Sequence, residues 1–390
     1  MKRDAVIVSA VRTAIGRQGG ALASVPAHVF GAEVIKEALH RANVSADQID
    51  DVILGNVLSG GGNIARLTAL QTGLSNEIPG LTVDRQCGSG INAINLAAQA
   101  IWAGDGEIFV AGGVESMSRA PYLMDRPDKA YSPMPPNFRK SQLAPKEIGD
   151  PPMGITAENL ASKYAISRQE QDDFAFESQQ RTARAMEEGR FEEQIVPIHI
   201  PVRKGEPIEF KVDEHPRPQT TKEALSKLQP VFLEGGTVTA GSSSGLNDAA
   251  SAVVIMSREK ARELGVTPLA VIRAQAIAGV DPNIMGIGPV PATKKVLEKA
   301  GLSLTDMDVI ELNEAFAAQV IACDRELEMD REKLNVNGGA IAHGHPLGAT
   351  GAILVTKAVY ELQRTGGKYG LITACIGGGQ GIATIIEREG

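Results

Sequence analysis

The feature that most restricts this chain is an internal repeat, because a polypeptide that states one pattern twice must fold it twice. The segment Val44-Ser45-Ala46-Asp47-Gln48-Ile49-Asp50-Asp51-Val52-Ile53-Leu54-Gly55-Asn56 is echoed by Leu302-Ser303-Leu304-Thr305-Asp306-Met307-Asp308-Val309-Ile310-Glu311-Leu312-Asn313. Each copy follows a stretch with helical apolar spacing: Val34, Ile35, Ala38 and Leu39 in one, Val296, Leu297 and Ala300 in the other. Further on, Leu81-Thr82-Val83 parallels Leu334-Asn335-Val336 as a short strand before a glycine-bearing turn. Helix-like stretches at 91–103 and 352–363 come next, then apolar strands at 108–111 and 371–374. Helix and strand alternating in one order predict two similar α/β halves, each with a covered sheet and its reactive residues at strand ends.

Between the halves, 121–152 is rich in Pro, Lys, Arg and Met and reads as an extended excursion. Residues 158–188 return to one run of helical periodicity with an outer charged face, and 197–218 is Pro-containing. Phe174, Phe176 and Phe191 give this insert apolar anchors, so it reads as a substrate-covering lid rather than a linker.

Chemistry gathers at three turns. Cys87 lies in Val83-Asp84-Arg85-Gln86-Cys87-Gly88-Ser89-Gly90 just ahead of a helix, where free amides and the helix dipole would stabilise a thiolate. The loop 337–351 carries His343 and His345 among five glycines, and 373–381 places Cys375 at the end of an apolar run. Two thiols and an imidazole are the parts for covalent acyl transfer combined with proton abstraction. Cys323 has no glycine turn beside it and reads as core, and His28, His40, His199 and His215 read as surface or packing residues.

Composition removes other classes. With 390 residues, 43% hydrophobic and 22% charged, the chain is globular and long enough for two or three core-bearing units. A formal net charge of -8 disfavours nucleic acid. No apolar stretch reaches the length of a membrane span, and the start Met1-Lys2-Arg3-Asp4 leads into an apolar run too short for a signal peptide, closed by Arg12. Three cysteines without framework spacing point to a reducing compartment, the cytoplasm. Zinc spacing is absent, and only nine residues follow Gly381, too few for a dinucleotide fingerprint.

Five segments in order, Cys87-Gly88-Ser89-Gly90, Gly112-Gly113-Val114-Glu115-Ser116-Met117-Ser118, Asn313-Glu314-Ala315-Phe316, Gly344-His345-Pro346 and Cys375-Ile376-Gly377, make the whole chain resemble the thiolases. The resemblance implies duplicated α/β halves in an α-β-α-β-α layering with an inserted loop domain. That predicts an N-terminal half over 1–118 completed by 246–268, an insert over 119–245 and a C-terminal half over 269–390. It implies Cys87 as the acylated nucleophile, Cys375 as the acid/base thiol, and His345 as the group that activates Cys87. His345, with a water held by Asn313, would also donate to the thioester oxygen of the second substrate; the amides of Cys87 and Gly377 would form a second oxyanion site.

Coenzyme A enters by the same resemblance, as substrate rather than as a tightly held cofactor. Arg217 and Ser244 would make polar contacts, and Met153, Phe232, Ala240, Leu246, Ala315 and Phe316 would form the apolar wall. Acyl-CoA and CoA are then the partners, in a homodimer or homotetramer. His343 departs from the family, which commonly has an aliphatic residue there, and reads as a supporting or structural residue. Pro152, where short-chain biosynthetic members usually carry His, and Arg217-Pro218-Gln219-Thr220-Thr221 lean toward the degradative 3-ketoacyl-CoA type, whereas 375–379 looks as much like the acetoacetyl-CoA type. A ketoacyl synthase, with one Cys, is disfavoured by Cys375-Ile376-Gly377, and a silent acyl-CoA-binding paralogue by retention of both thiols and the imidazole.

Overall fold

A computed structural model describes residues 3–127, 129, 131 and 137–389, so Met1, Lys2 and part of the 121–152 excursion lie outside the described residues. The strands in chain order are β1 (Ala5–Thr13), β2 (Gly16–Arg17), β3 (Asp51–Gly55), β4 (Gly80–Val83), β5 (Ile108–Ser116), β6 (Ile195–Val196), β7 (Ile198–Ile200), β8 (Ile208–Phe210), β9 (Asn247–Ser257), β10 (Ala270–Gly279), β11 (Val309–Leu312), β12 (Tyr369–Ile376) and β13 (Gln380–Arg388). The helices are α1 (Ala27–Ala42), α2 (Ile64–Thr72), α3 (Ser89–Ala103), α4 (Met153–Lys163), α5 (Arg168–Glu187), α6 (Lys222–Ser226), α7 (Arg258–Leu264), α8 (Pro289–Ala300), α9 (Ala317–Leu327), α10 (Ala340–His343) and α11 (Leu347–Thr365).

The strands run β11-β12-β13-β10-β1-β9-β5-β3-β4, with β1 and β10 joined antiparallel through Val6 opposite Val271 and Ile7 opposite Ala270. Outward from that junction the N-terminal half runs β1, β9, β5, β3 and the C-terminal half β10, β13, β12, β11, in the same parallel and antiparallel senses. The sequence echo is physical as well. Ser45 closes a capping box with Gln48, and Ser303 closes one with Asp306. The Asp50 carboxylate accepts the amides of Glu107 and Ile108 at the mouth of β5, and Asp308 accepts those of Lys368 and Tyr369 at the mouth of β12.

Burial on both faces makes the strands apolar throughout. In β1, Val6, Val8 and Val11 face one core while Ala5, Ile7 and Ala10 face another. The first core packs α1 and α2 on the outside of the N-terminal half through Phe30, Val34 and Ala69. Another packs α8 and α9 on the outside of the C-terminal half through Val296, Val320 and Cys323. Between them α3 and α11, through Ile91, Ile94, Leu354 and Val359, share a core with strands of both halves. Two outer helical layers, the two wings of the sheet on either side of the β1–β10 junction and a shared central helical layer give the expected α-β-α-β-α stack.

Two expectations fail locally. Among the described residues the C-terminal half has no counterpart of β4: Leu334 makes a single bridge to Ile310, and Asn335 turns to φ 44°. Its side-chain amide takes over the strand's role, accepting from Leu312 N and donating to Leu312 O, both at 2.9 Å. The helical run at 158–188 is two helices, broken at Ala165 (φ 49°) and restarted by a Ser167–Glu170 capping box. Charge also enters the buried face of α5, where Asp172 is paired with Arg168 at 2.9 Å.

The stretch between β5 and β9 is sewn to the core. β6 pairs with β1, Phe191 is buried in the outer N-terminal core, and Phe174 and Phe176 pack partly buried beside Ala175, Leu225 and Ile341.

Candidate active site

The Cys87 turn follows β4. Gln86 adopts φ 46°, and Ser89 secures the bend by accepting from Arg85 N at 2.8 Å and donating to Gln86 O at 2.6 Å. The His345 loop precedes α11 after Gly344 at φ 100°. These turns meet because α3 and α11 cross without side chains: a Cβ at Gly90 would lie 2.7 Å from Ala352 N, and one at Gly351 would collide with Ile91 N. At Gly113 of β5 a Cβ would collide with the Gly348 carbonyl, so that glycine admits the start of α11. The third turn links β12 to β13. Cys375 lies in β12 opposite Gly381, and a Cβ at Gly88 would meet Ile376 Cδ1 at 2.6 Å, which seats the Cys87 turn on this hairpin.

Electrostatics correct the sequence expectation for Cys87. Its side chain is half-buried, and burial pushes the thiol up to about 11 despite hydrogen bonds from the amides of Gly377 and of Cys87 itself, with Glu115 and Asp84 adding to the rise. The two amides that follow Cys87 are turned to the bend instead of the thiol: Gly88 N donates to Arg85 O and Ser89 N to Gln86 O, both at 3.0 Å. Cys375, wholly buried beside Met153, Ala315 and Phe316, is pushed well above the ordinary thiol value by burial and by the neighbouring Cys87.

His345 is buried, and that alone lowers its imidazole to about 4. Its Nδ1 lies 2.6 Å from Thr350 Oγ1, whose own hydrogen goes to Pro346 O at 3.0 Å. Thr350 therefore accepts from Nδ1–H, leaving the Nε2 lone pair directed at Asn313 Nδ2, 3.3 Å away. Asn313 Oδ1 is buried with no hydrogen-bond partner among the described residues. The resting site is thus a thiol and a neutral base rather than a thiolate–imidazolium pair. Alkylation of Cys87 by iodoacetamide is accordingly expected to climb about tenfold per pH unit from neutrality upward, because only the thiolate reacts. A plateau below pH ~8 in that profile would contradict a thiol titrating near 11.

A cavity of about 480 Å³ is lined by Arg217, Phe232, Ala240, Ser244 and Leu246, all singled out from sequence. Met153, Ala315 and Phe316 pack around Cys375 instead. The two groups join through Ser244 N donating to Ala315 O at 3.0 Å and Phe232 edge-on to Phe316 at 5.9 Å. His215, read from sequence as surface or packing, is in the cavity wall, where burial and the charges of Arg217 and Arg17 lower it to about 4. Its place two residues before Arg217 was the available signal. Asn247, whose Oδ1 accepts from His345 N at 2.9 Å, was missed because the two are 98 residues apart, whereas Thr350, five residues after His345 in the same loop, was within reach of the sequence. Cys323 is core, its thiol directed at Gly286 O.

The model of the thiolase N-terminal domain matches residues 5–259, and that of the thiolase C-terminal domain matches 266–388. An acetyl-CoA acetyltransferase of Cupriavidus necator is 48% identical over 99% of this chain and 100% of its own, and a beta-ketothiolase of that organism is 49% identical over 100% of both. Among solved structures, a Bacillus anthracis acetyl-CoA acetyltransferase superposes with a TM-score of 0.96 at 44% identity, covering 100% of this chain and 99% of its own. Human mitochondrial 3-ketoacyl-CoA thiolase in complex with CoA superposes at 0.93 with 45% identity, covering 100% and 98%. With both domain models matched in order and relatives near half identity along the entire length, the chain belongs to the thiolase family.

Proposed function

We propose that this acyltransferase cleaves 3-ketoacyl-CoA with CoA, and in reverse joins two acyl thioesters, through an acyl group carried on Cys87. The observation that carries the reading is the convergence of three glycine turns: the Cys87 turn is seated on the Cys375 hairpin through Gly88 and Ile376, and α3 behind it crosses the start of α11 just after His345. His345 Nε2 takes the Cys87 proton as sulfur attacks the ketone carbon. The bond between that carbon and the α-carbon breaks, the acyl group stays on Cys87, and Cys375 protonates the departing α-carbon. The Cys375 thiolate then takes the proton of the incoming CoA thiol, whose sulfur attacks the acyl carbon while the Cys87 sulfur leaves and recovers its proton from His345, and condensation is the same path reversed. Negative oxygen charge falls to His345 with a water on Asn313 Oδ1 at one centre, and to the amides of Cys87 and Gly377 at the other. The 480 Å³ cavity takes the CoA arm, with Arg217 and Ser244 as polar contacts.

The domain division read from sequence, a homodimer or homotetramer and a cytoplasmic setting belong to the same proposal. Support for assembly comes from β4, an edge strand with Leu81 exposed and with Leu67 and Leu70 of α2 exposed nearby; support for a reducing compartment comes from three free thiols. Pro152, the N-cap of α4 beside Met153, favours a degradative enzyme accepting longer chains. The relatives named acetyl-CoA acetyltransferase favour acetoacetyl-CoA as a second reading. The test is CoA-dependent cleavage of acetoacetyl-CoA and a long-chain 3-ketoacyl-CoA side by side, with Cys87→Ala as control. A higher kcat/KM for the long chain is expected, preference for acetoacetyl-CoA selects the second reading, and no cleavage of either removes both.

A further inference from the structure

Glu115, near the end of β5, is fully buried, and its carboxylate is held by six donors. Five belong to the loop after β3. Leu58 N at 3.0 Å, Ser59 N at 2.9 Å, Ser59 Oγ at 2.7 Å and Asn56 Nδ2 at 3.3 Å reach Oε1, and Val57 N reaches Oε2 at 3.0 Å. The sixth is remote: Gly348 N, in the first turn of α11, donates to Oε2 at 2.9 Å. Each of the six contacts is a donor, so the surroundings take the group as a carboxylate although burial pushes it up from the ordinary carboxylate range.

The start of α11 has no other side-chain cap. Its N-cap is Pro346, which offers no side-chain acceptor, and its first turn contains no acidic residue. Glu115 therefore supplies from the sheet the negative cap that the helix lacks in its own sequence. Two residues beyond Gly348 is Thr350, whose Oγ1 accepts the His345 Nδ1–H at 2.6 Å. Asn247 holds the His345 main chain through its amide, but the ring takes its orientation from Thr350. On its other side the carboxylate holds Asn56, whose N donates to Val83 O at 3.1 Å, where β4 enters the Cys87 turn.

We propose that Glu115 is a positioning residue for His345: by binding the Gly348 amide from β5 it fixes the first turn of α11 and, through Thr350, the direction of the imidazole. The proposal rests on reading His345 as the base that takes the Cys87 proton. The contact of Gly113 with the Gly348 carbonyl sets how closely the helix approaches β5, whereas the hydrogen bond to Glu115 sets its rotation.

The experiment is the single-turnover rate at which Cys87 gains an acyl group from acetyl-CoA, read by intact-mass spectrometry, with thermal melts as the folding check. Glu115→Gln, which turns an amide NH2 toward one set of donors, is expected to slow acylation about thirtyfold while the half-saturating acetyl-CoA concentration changes less than about twofold. In a His345→Ala background, where no ring remains to be positioned, the same change is expected to cost less than about threefold. Ser59→Ala removes one loop donor, leaves Gly348 bound, and is expected to stay within about twofold of wild type. Equal losses from Glu115→Gln in both backgrounds, or a Ser59→Ala loss as large as that of Glu115→Gln, overturn the positioning role. Glu115→Asp, one methylene shorter, is expected to give the same dependence on His345 and takes the place of the glutamine variant where that folds poorly. If neither variant folds, Glu115 is a structural residue and the role falls. If His345→Ala by itself acylates at the wild-type rate, His345 is not the base, and the proposal falls with that reading.

Discussion

Cys375→Ser is expected to leave Cys87 able to take an acyl group from acyl-CoA while slowing carbon–carbon cleavage and condensation by about 10²–10⁴-fold, the range for losing a positioned acid/base. Cys87→Ala is expected to lose both, with no mass increase on mixing with acyl-CoA. The asymmetry follows from the site: Cys375 is wholly buried against Met153, Ala315 and Phe316, so it reaches only what is threaded to it, whereas Cys87 is half-buried and touches the Gly377 amide. Intact-mass spectrometry and a coupled thiolysis assay read the two steps separately. A Cys375→Ser enzyme that condenses at the wild-type rate, or a Cys87→Ala enzyme that still gains acyl mass, removes the division of labour.

Gly113→Ala is the smallest change with the second-largest expected consequence. The added methyl collides with the Gly348 carbonyl in the first turn of α11, and backbone on both sides cannot rotate away as a side chain would. The strain is expected to cost about 3 kcal/mol of stability, as overpacked interiors do. Because α11 follows His345 directly, a shift of its first turn is also expected to lower kcat about a hundredfold, the usual result of misplacing reacting groups by about 1 Å. Urea denaturation and kcat on the same preparation test both. An alanine variant with wild-type stability and turnover would show that the packing of α11 on β5 does not depend on this contact.

Cys87, His345 and Cys375 were legible because each sits where a strand or apolar run gives way to glycines, and such turns mark themselves locally. The cavity residues Arg217, Phe232, Ala240, Ser244 and Leu246 were reachable only through resemblance, since nothing in their own spacing announces a shared wall. His215 escaped because its neighbourhood is assembled from 179, 217 and 240–246, segments remote in sequence. The thiolate expected at Cys87 was a reasonable inference from a helix start, but it presumed free amides that the Arg85–Gln86 bend consumes.

The order of helices and strands was written in the chain itself, as was the duplication down to the paired Ser45 and Ser303 caps and Asp50 and Asp308 clamps. These depend on interactions within a few residues or on periodicity, which sequence carries directly. Only the tertiary structure decided that the second half replaces its outer strand with the Asn335 side chain, and that burial raises the Cys87 thiol and lowers the His345 imidazole. Each of those depends on burial and on contacts between segments far apart in the chain, and a linear pattern holds no record of which distant group will exclude water from which.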